Sequence, residues 1–145
     1  MTPCLFSISY AGLWGQETLS LIEFIKHAGR LGYPAVMIAG KRPHLSPLDT
    51  TAEVVETIRE TLAAAQVRCD VIAASSVGCE VPLIEMQIAY VESLSRIASQ
   101  LDARIIRVFT AYEVEGQDLQ MQWRRCVAAL REMADRAAGY GVTLA

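Results

Sequence analysis

Apolar residues fall along this chain in two alternating rhythms. Short unbroken apolar runs, expected of strands buried on both faces, give way to stretches where apolar positions return every third or fourth residue, expected of helices with one buried side. Leu5–Ser9 predicts a first strand, with Tyr10–Gln16 as its loop. Leu21, Phe24, Ala28 and Leu31 then share one side of a helix. Its other side carries Glu23, Lys26, His27 and Arg30, which assigns His27 to solvent.

The next stretch, Gly32–Pro47, holds the densest cluster of candidate chemistry. Gly32 can take the left-handed conformation that closes a helix, and Pro34 cannot continue one. Val36–Ala39 predicts a second strand, ended by Gly40 and followed at once by Lys41, Arg42, Pro43 and His44. Proton donors and cations at the carboxyl end of a parallel strand stand where α/β folds place their ligands.

A second helix is announced by Thr50-x-x-Glu53 as a capping box, after Pro47 and Asp49. Val55, Ile58, Leu62 and Ala65 form its inner side, with Glu53, Glu56, Thr57 and Glu60 outside. Cys69–Ala74 predicts a third strand and Ser75–Val81 its loop, with Pro82 suited to the first turn of the next helix. Ile84, Ile88, Val91, Leu94, Ala98 and Leu101 line that helix. Ile105–Phe109 is a fourth strand and Thr110–Asp118 its loop. Trp123, Val127, Leu130, Ala134 and Ala137 mark a fourth inner face, Gly139 a cap, and Val142–Leu144 a fifth strand.

Strand and helix therefore alternate four times before a final strand, with a period of roughly 35 residues, within the range of a βαβ unit. Strict alternation predicts a parallel sheet with right-handed crossovers. An open doubly wound module of five strands in the order 2-1-3-4-5 fits the length of 145 residues, whereas a complete TIM barrel needs about 250. Against the module, the first loop is neither Gly-x-Gly-x-x-Gly nor a Lys-Ser/Thr nucleotide loop. The sequence also stops inside an apolar strand, at Ala145, which predicts that residues 1–145 are one partial domain.

Composition narrows the function. Hydrophobic residues make up 52% and charged residues 20%, as in a globular chain with a real core. The net charge of −3, with no basic cluster, makes the chain a poor candidate for binding a phosphate backbone. Neither a leader segment nor a membrane-length apolar run is present, so a reducing cytoplasmic setting is expected. Four cysteines without a Cys-x-x-Cys pair and only two histidines make no local zinc site. Cys4, Cys69 and Cys126 fall in apolar segments as buried thiols, and Cys79 falls in a loop.

Gly32–His44, then Glu85–Val91 and Arg104–Phe109, resemble the sugar phosphate isomerase/epimerase family of xylose isomerase-like TIM barrels, and Gly141–Ala145 resembles that family's fifth strand. The superfamily also includes the endonuclease IV type of repair enzyme. The resemblance implies four βα units plus the start of a fifth strand, ordered 1-2-3-4-5: the amino-terminal half of a barrel. It also implies proton transfer next to a carbonyl, with a divalent ion (Mn²⁺, Mg²⁺, Co²⁺ or Zn²⁺) stabilising an enediolate. The family's ligands, a Glu ending strand five and then Asp, His and Glu on strands six to eight, would all lie beyond Ala145. No catalytic or metal-ligating role therefore falls on this chain, which is expected to be inactive alone. The loop from Ser75 to Glu80 is shorter than the family leads one to expect.

Substrate contact is assigned to seven residues: His44, Lys41, Arg42, Tyr10, Trp14, Tyr112 and Glu113. His44 either bonds a substrate oxygen or fixes its own loop. Lys41 and Arg42 either attract an anion or are solvated cations. Tyr10 and Trp14 form an apolar wall for a sugar ring or ordinary rim packing. Tyr112 and Glu113 follow strand four, where a carboxylate acts as a base only if its surroundings raise its pKa. Arg107, inside a covered strand, needs a partner and is assigned to Asp70 or to something outside the chain. The expected partners are a small sugar or sugar phosphate and, through two open sheet edges, another copy of the chain. The rival readings are a complete α/β binding module without catalysis and an endonuclease IV-like fragment needing a basic groove.

Overall fold

The structure is a computed structural model that describes residues 2–13, 17–76 and 83–145. Strands β1 (Cys4–Phe6), β2 (Ala35–Ala39), β3 (Arg68–Ala73), β4 (Ile105–Arg107) and β5 (Thr143–Leu144) alternate with helices α1 (Leu21–Arg30), α2 (Ala52–Ala65), α3 (Ile84–Gln100) and α4 (Leu119–Ala138). All neighbouring strands pair in parallel, in the order β1-β2-β3-β4-β5. That order matches half of a TIM barrel and rules out the 2-1-3-4-5 module. No helix among the described residues is long and apolar enough to cross a membrane.

Register explains how the two faces of the sheet differ. Ile38, Ile72 and Ile106 are paired across three strands, and all three are fully buried beneath the helices. Phe6, Met37, Val71 and Ile105 form the row of opposite parity, on the helix-free face, and none of them is fully buried. Among the described residues, β1 and β5 each pair on one side only.

Helix ends follow local chemistry. Leu31 closes α1 and Gly32 turns left-handed at φ 78°, while the Tyr33 N–H bonds the Ala28 carbonyl and the Gly32 N–H bonds that of Gly29, a Schellman stop. The capping box sits at Ser20/Glu23 of α1. At α2 the cap is Thr51, which accepts from the Val54 N–H, while the Thr50 hydroxyl donates to the Ser46 carbonyl. The sequence placed that cap one residue early because Thr50 and Thr51 offer the same oxygen.

Three further expectations are corrected. The first strand ends at Phe6, because Ser7–Tyr10 wind into a 3-10 turn. The buried face of α4 is Cys126, Ala129, Met133 and Ala137. Trp123 is 64% exposed, and Val127, Leu130 and Ala134 instead border an apolar recess of about 400 Å³ with Val108 and Leu144, beside the free edge of β5. His27 is half-buried rather than solvated: Arg30 can only donate to its Nδ1 (3.3 Å), which leaves Nε2 to donate to the Tyr10 hydroxyl at 3.3 Å.

Candidate functional site

The carboxyl ends of the strands form a rim tied together by side chains on main-chain groups. Ser7, buried just after β1, accepts from the N–H of Ala39, the last residue of β2. Ser76, buried after β3, accepts from the Phe109 N–H beyond β4. Between them the Tyr90 hydroxyl donates to the Gly40 carbonyl at 2.6 Å and accepts from the Ser75 N–H at 3.2 Å. Burial pushes the Tyr90 phenol above its ordinary pKa, so it remains a donor at neutral pH. Gly40 has no room for a side chain, since a Cβ there would lie 2.6 Å from Leu94 Cδ1 and 3.2 Å from the Ala73 carbonyl oxygen.

Tyr90 was not singled out from the sequence, where it stands as one aromatic in a helix. Replacing it with Phe leaves one acceptor and one donor at the β2–β3 junction without a partner, an expected loss of about 1–3 kcal/mol. Urea denaturation of Tyr90→Phe measures this; a midpoint equal to that of the native chain would refute the tie.

His44 is held from two sides. Its ring stacks 6.1 Å from that of buried Phe24, and its Nε2 donates to the Leu19 carbonyl at 3.2 Å. A carbonyl can only accept, so Nε2 carries the hydrogen and Nδ1 is bare, buried and without a partner among the described residues. Protonation would place a charge at Nδ1, and burial accordingly lowers the pKa of His44 against the opposing Leu19 bond. The unfolded chain therefore binds more protons below its ordinary value near 6.5, and this contribution to stability is complete above that pH and lost as the pH falls toward the depressed folded value. The melting temperature is expected to drop between pH 7.5 and 5.5, and to drop less in His44→Gln. Equal slopes would refute it.

The other sequence candidates divide by place. Tyr10 packs on Phe24 (5.7 Å between centroids) and edge-on to His27 (5.2 Å), so its ring serves the joint between β1 and α1. Arg42 is exposed and forked onto Asp49 by two bonds of 2.6 Å, which hold its pKa up and that of Asp49 down. Lys41 is exposed on a cleft of about 530 Å³ shared with Gly40, Ser46, Ser75 and Tyr90. Tyr112 and Glu113 line a smaller hollow of about 110 Å³ beside Trp123 and Cys126. Trp14, Cys79 and Pro82 lie outside the described residues. Cys69, fully buried, has its thiol pushed up to about 12 and is inert, whereas Cys4 is only half-buried.

Arg107 lies on the helix-free face, at the carboxyl end of β4. Its guanidinium carbon lies 4.2 Å from the Phe109 ring centroid and 5.8 Å from that of Phe6, bridging from β4 to β1. Ala39 and Ala73 are paired in the same row and leave space for it. The expected Arg107–Asp70 pair does not form, because Arg68, two residues along the same strand, takes Asp70 with two bonds of 3.1 Å. Aromatic faces replace the missing carboxylate. One cation between two aromatic rings suits the hydroxyls of a sugar or a small anion.

A divalent ion does not fit the described residues. Among them no three His, Cys, Asp or Glu side chains stand close enough to hold one. His44 Nε2 is committed to Leu19, Asp49 to Arg42, and Glu113 has no second carboxylate at its hollow.

A family model described as xylose isomerase-like TIM barrel matches residues 25–145. No curated protein sequence matches the chain. Among solved structures, a D-tagatose 3-epimerase-like protein superposes with a TM-score of 0.81 at 15% identity, covering 99% of this chain and 51% of that one. D-psicose 3-epimerase from Clostridium cellulolyticum H10, solved with D-tagatose, gives 0.75 at 15% identity over 99% and 51%. A xylose isomerase-like TIM barrel protein from Mycobacterium smegmatis, in complex with magnesium, gives 0.70 at 16% identity over 99% and 54%. This chain thus spans about half the length of the solved structures it matches. With its parallel, sequentially ordered sheet and a family match over most of its length, the chain belongs to the xylose isomerase-like TIM barrels.

Proposed function

We propose that residues 1–145 supply the first four βα units, and one wall of the substrate site, of a divalent-metal-dependent sugar or sugar phosphate isomerase or epimerase. The observation that carries this reading is Arg107 between Phe6 and Phe109 on the helix-free face, at the carboxyl ends of the strands. An apolar surface flanking one fixed cation binds a sugar by its C–H face and holds a hydroxyl or phosphate oxygen. Lys41, Tyr112 and Glu113, which make no side-chain hydrogen bond or ion pair among the described residues, are assigned to direct contact from the loops after β2 and β4. His44, Arg42 and Tyr10 shape the rim.

Support for a carbohydrate comes from the epimerase-like neighbours, and support for a metal from the magnesium-bound one. When bound, such an ion polarises the substrate's oxygens. Its ligands would come from barrel units other than those described, so the chain alone binds and orients without catalysing.

The test combines binding with isotope exchange. In D₂O with Mn²⁺, the chain alone is expected to leave the C3 proton of D-tagatose or a ketose phosphate unexchanged, while either ligand shifts the resonances of Phe6, Arg107 and Phe109. Deuterium entering the sugar with the chain alone would overturn the division of labour. Ligand shifts confined elsewhere would overturn the site.

A further inference from the structure

At the opposite end of the sheet from this rim, α2 and α3 do not close on each other. The packed helix pairs are α1 with α2 and α3 with α4. A cleft of about 630 Å³ opens between the carboxyl half of α2 and the turn that follows α3, beside the first residues of β3 and β4. That volume lies within the roughly 300–1,000 Å³ of small-molecule sites.

Its walls are apolar, from Leu62, Val67 and Leu101, and its rim carries three guanidiniums and two carboxylates. Arg68 is forked onto Asp70 by two bonds of 3.1 Å. Arg59 reaches across the gap to the Gln100 carbonyl at 3.2 Å and stands 3.9 Å from Glu56, which leaves most of its donors unused. Arg104 makes no side-chain hydrogen bond or ion pair among the described residues. Asp102 is the one opposing carboxylate at this rim that no cation holds within ion-pair distance.

We propose that this cleft is a second binding site, for an anion of the carboxylate or phosphate-monoester class carried on an apolar body. The body lies against Leu62, Val67 and Leu101, and the anion takes the free donors of Arg104 and Arg59 in the planar fork geometry that guanidinium offers. A ligand there sits against the strand starts, away from the wall proposed for the sugar. The site therefore stands or falls independently of the sugar assignment.

Titration calorimetry with phenyl phosphate, benzoate and inorganic phosphate tests it. Phenyl phosphate and benzoate are expected to bind saturably and more weakly as salt is raised, with inorganic phosphate at least about tenfold weaker for want of an apolar body. Arg104→Met should weaken phenyl phosphate about tenfold or more. Ala63→Trp, which fills the cleft from its rim without changing charge, should abolish binding. Both sites are exposed, so both variants should melt like the native chain. Amide exchange should slow at residues 68–71 and 101–106 when phenyl phosphate binds. No saturable heat with either aromatic probe, equal affinity in Arg104→Met, or protection at residues 40–44 instead would each overturn the proposal.

Discussion

Sedimentation of the purified chain is expected to show a species of twice the chain mass that grows with concentration. β1 and β5 each leave one edge of backbone donors and acceptors unpaired, and such edges recruit strands from other molecules. Beside the β5 edge, Val127, Leu130, Ala134 and Leu144 line the apolar recess of about 400 Å³. On the helix-free face, Ile105 and Phe109 are 37% and 46% exposed. The occupant that suits all of these is a second copy. A two-fold axis along the strand direction keeps every strand parallel, and it brings the β5 edge of one copy beside the β1 edge of its partner at both seams. Leu130→Glu puts a charge into the recess and is expected to shift the equilibrium toward monomer. A single monomeric species from micromolar to hundred-micromolar concentration would sink this expectation.

Phe24→Ala is expected to cost about 3–5 kcal/mol, the range for removing a large aromatic from a core. Phe24 is fully buried in α1 and touches two rim segments at once, through the rings of Tyr10 and His44. The loss is a large part of the roughly 5–15 kcal/mol that holds a domain together, and lowers the melting temperature by on the order of 10 °C. It also removes the surface on which the His44 ring rests, so the loop from Lys41 to His44 should lose amide protection before the strands do. Comparisons belong at one protein concentration, because association adds to apparent stability. A loss below about 1 kcal/mol, as from a site that collapses to fill the space, would refute the role given to Phe24. Phe24→Leu, which keeps most of the volume, separates the two effects by restoring stability more than loop protection.

Within the rim, legibility depended on whether a residue's role is local. The exposed positions of Lys41 and Arg42 follow from a turn after a strand, and the sequence placed them correctly at the end of β2. Their partners did not follow. Arg42 is bound to Asp49, seven residues on, through a loop path that no spacing rule encodes. Arg107 was expected to need a carboxylate, and the shorter link from Arg68 to Asp70 took the one proposed for it. Tyr90 acts over fifty residues, on Gly40, and its contribution is invisible until β2, β3 and α3 are docked. His27 was assigned to solvent by its helical phase, and the Tyr10 side chain folding over α1 half-covered it.

The order of strands and helices, the parallel sheet, the Gly32 stop and most of the core follow from the residues read along the chain. These rest on hydrophobic period and backbone preference, which act within a few residues and need no knowledge of the rest of the chain. Which face of α4 is buried, which cation meets which anion, and that a cleft opens between α2 and the turn after α3 emerge once the elements are docked. Those outcomes depend on what lies across the sheet or beyond its edge. The inner face expected for α4 points, from Val127 to Ala134, toward the open side of β5, where the described chain places nothing. A helix can state that it has an apolar stripe; the neighbour that covers the stripe is fixed by distance in space, not along the chain.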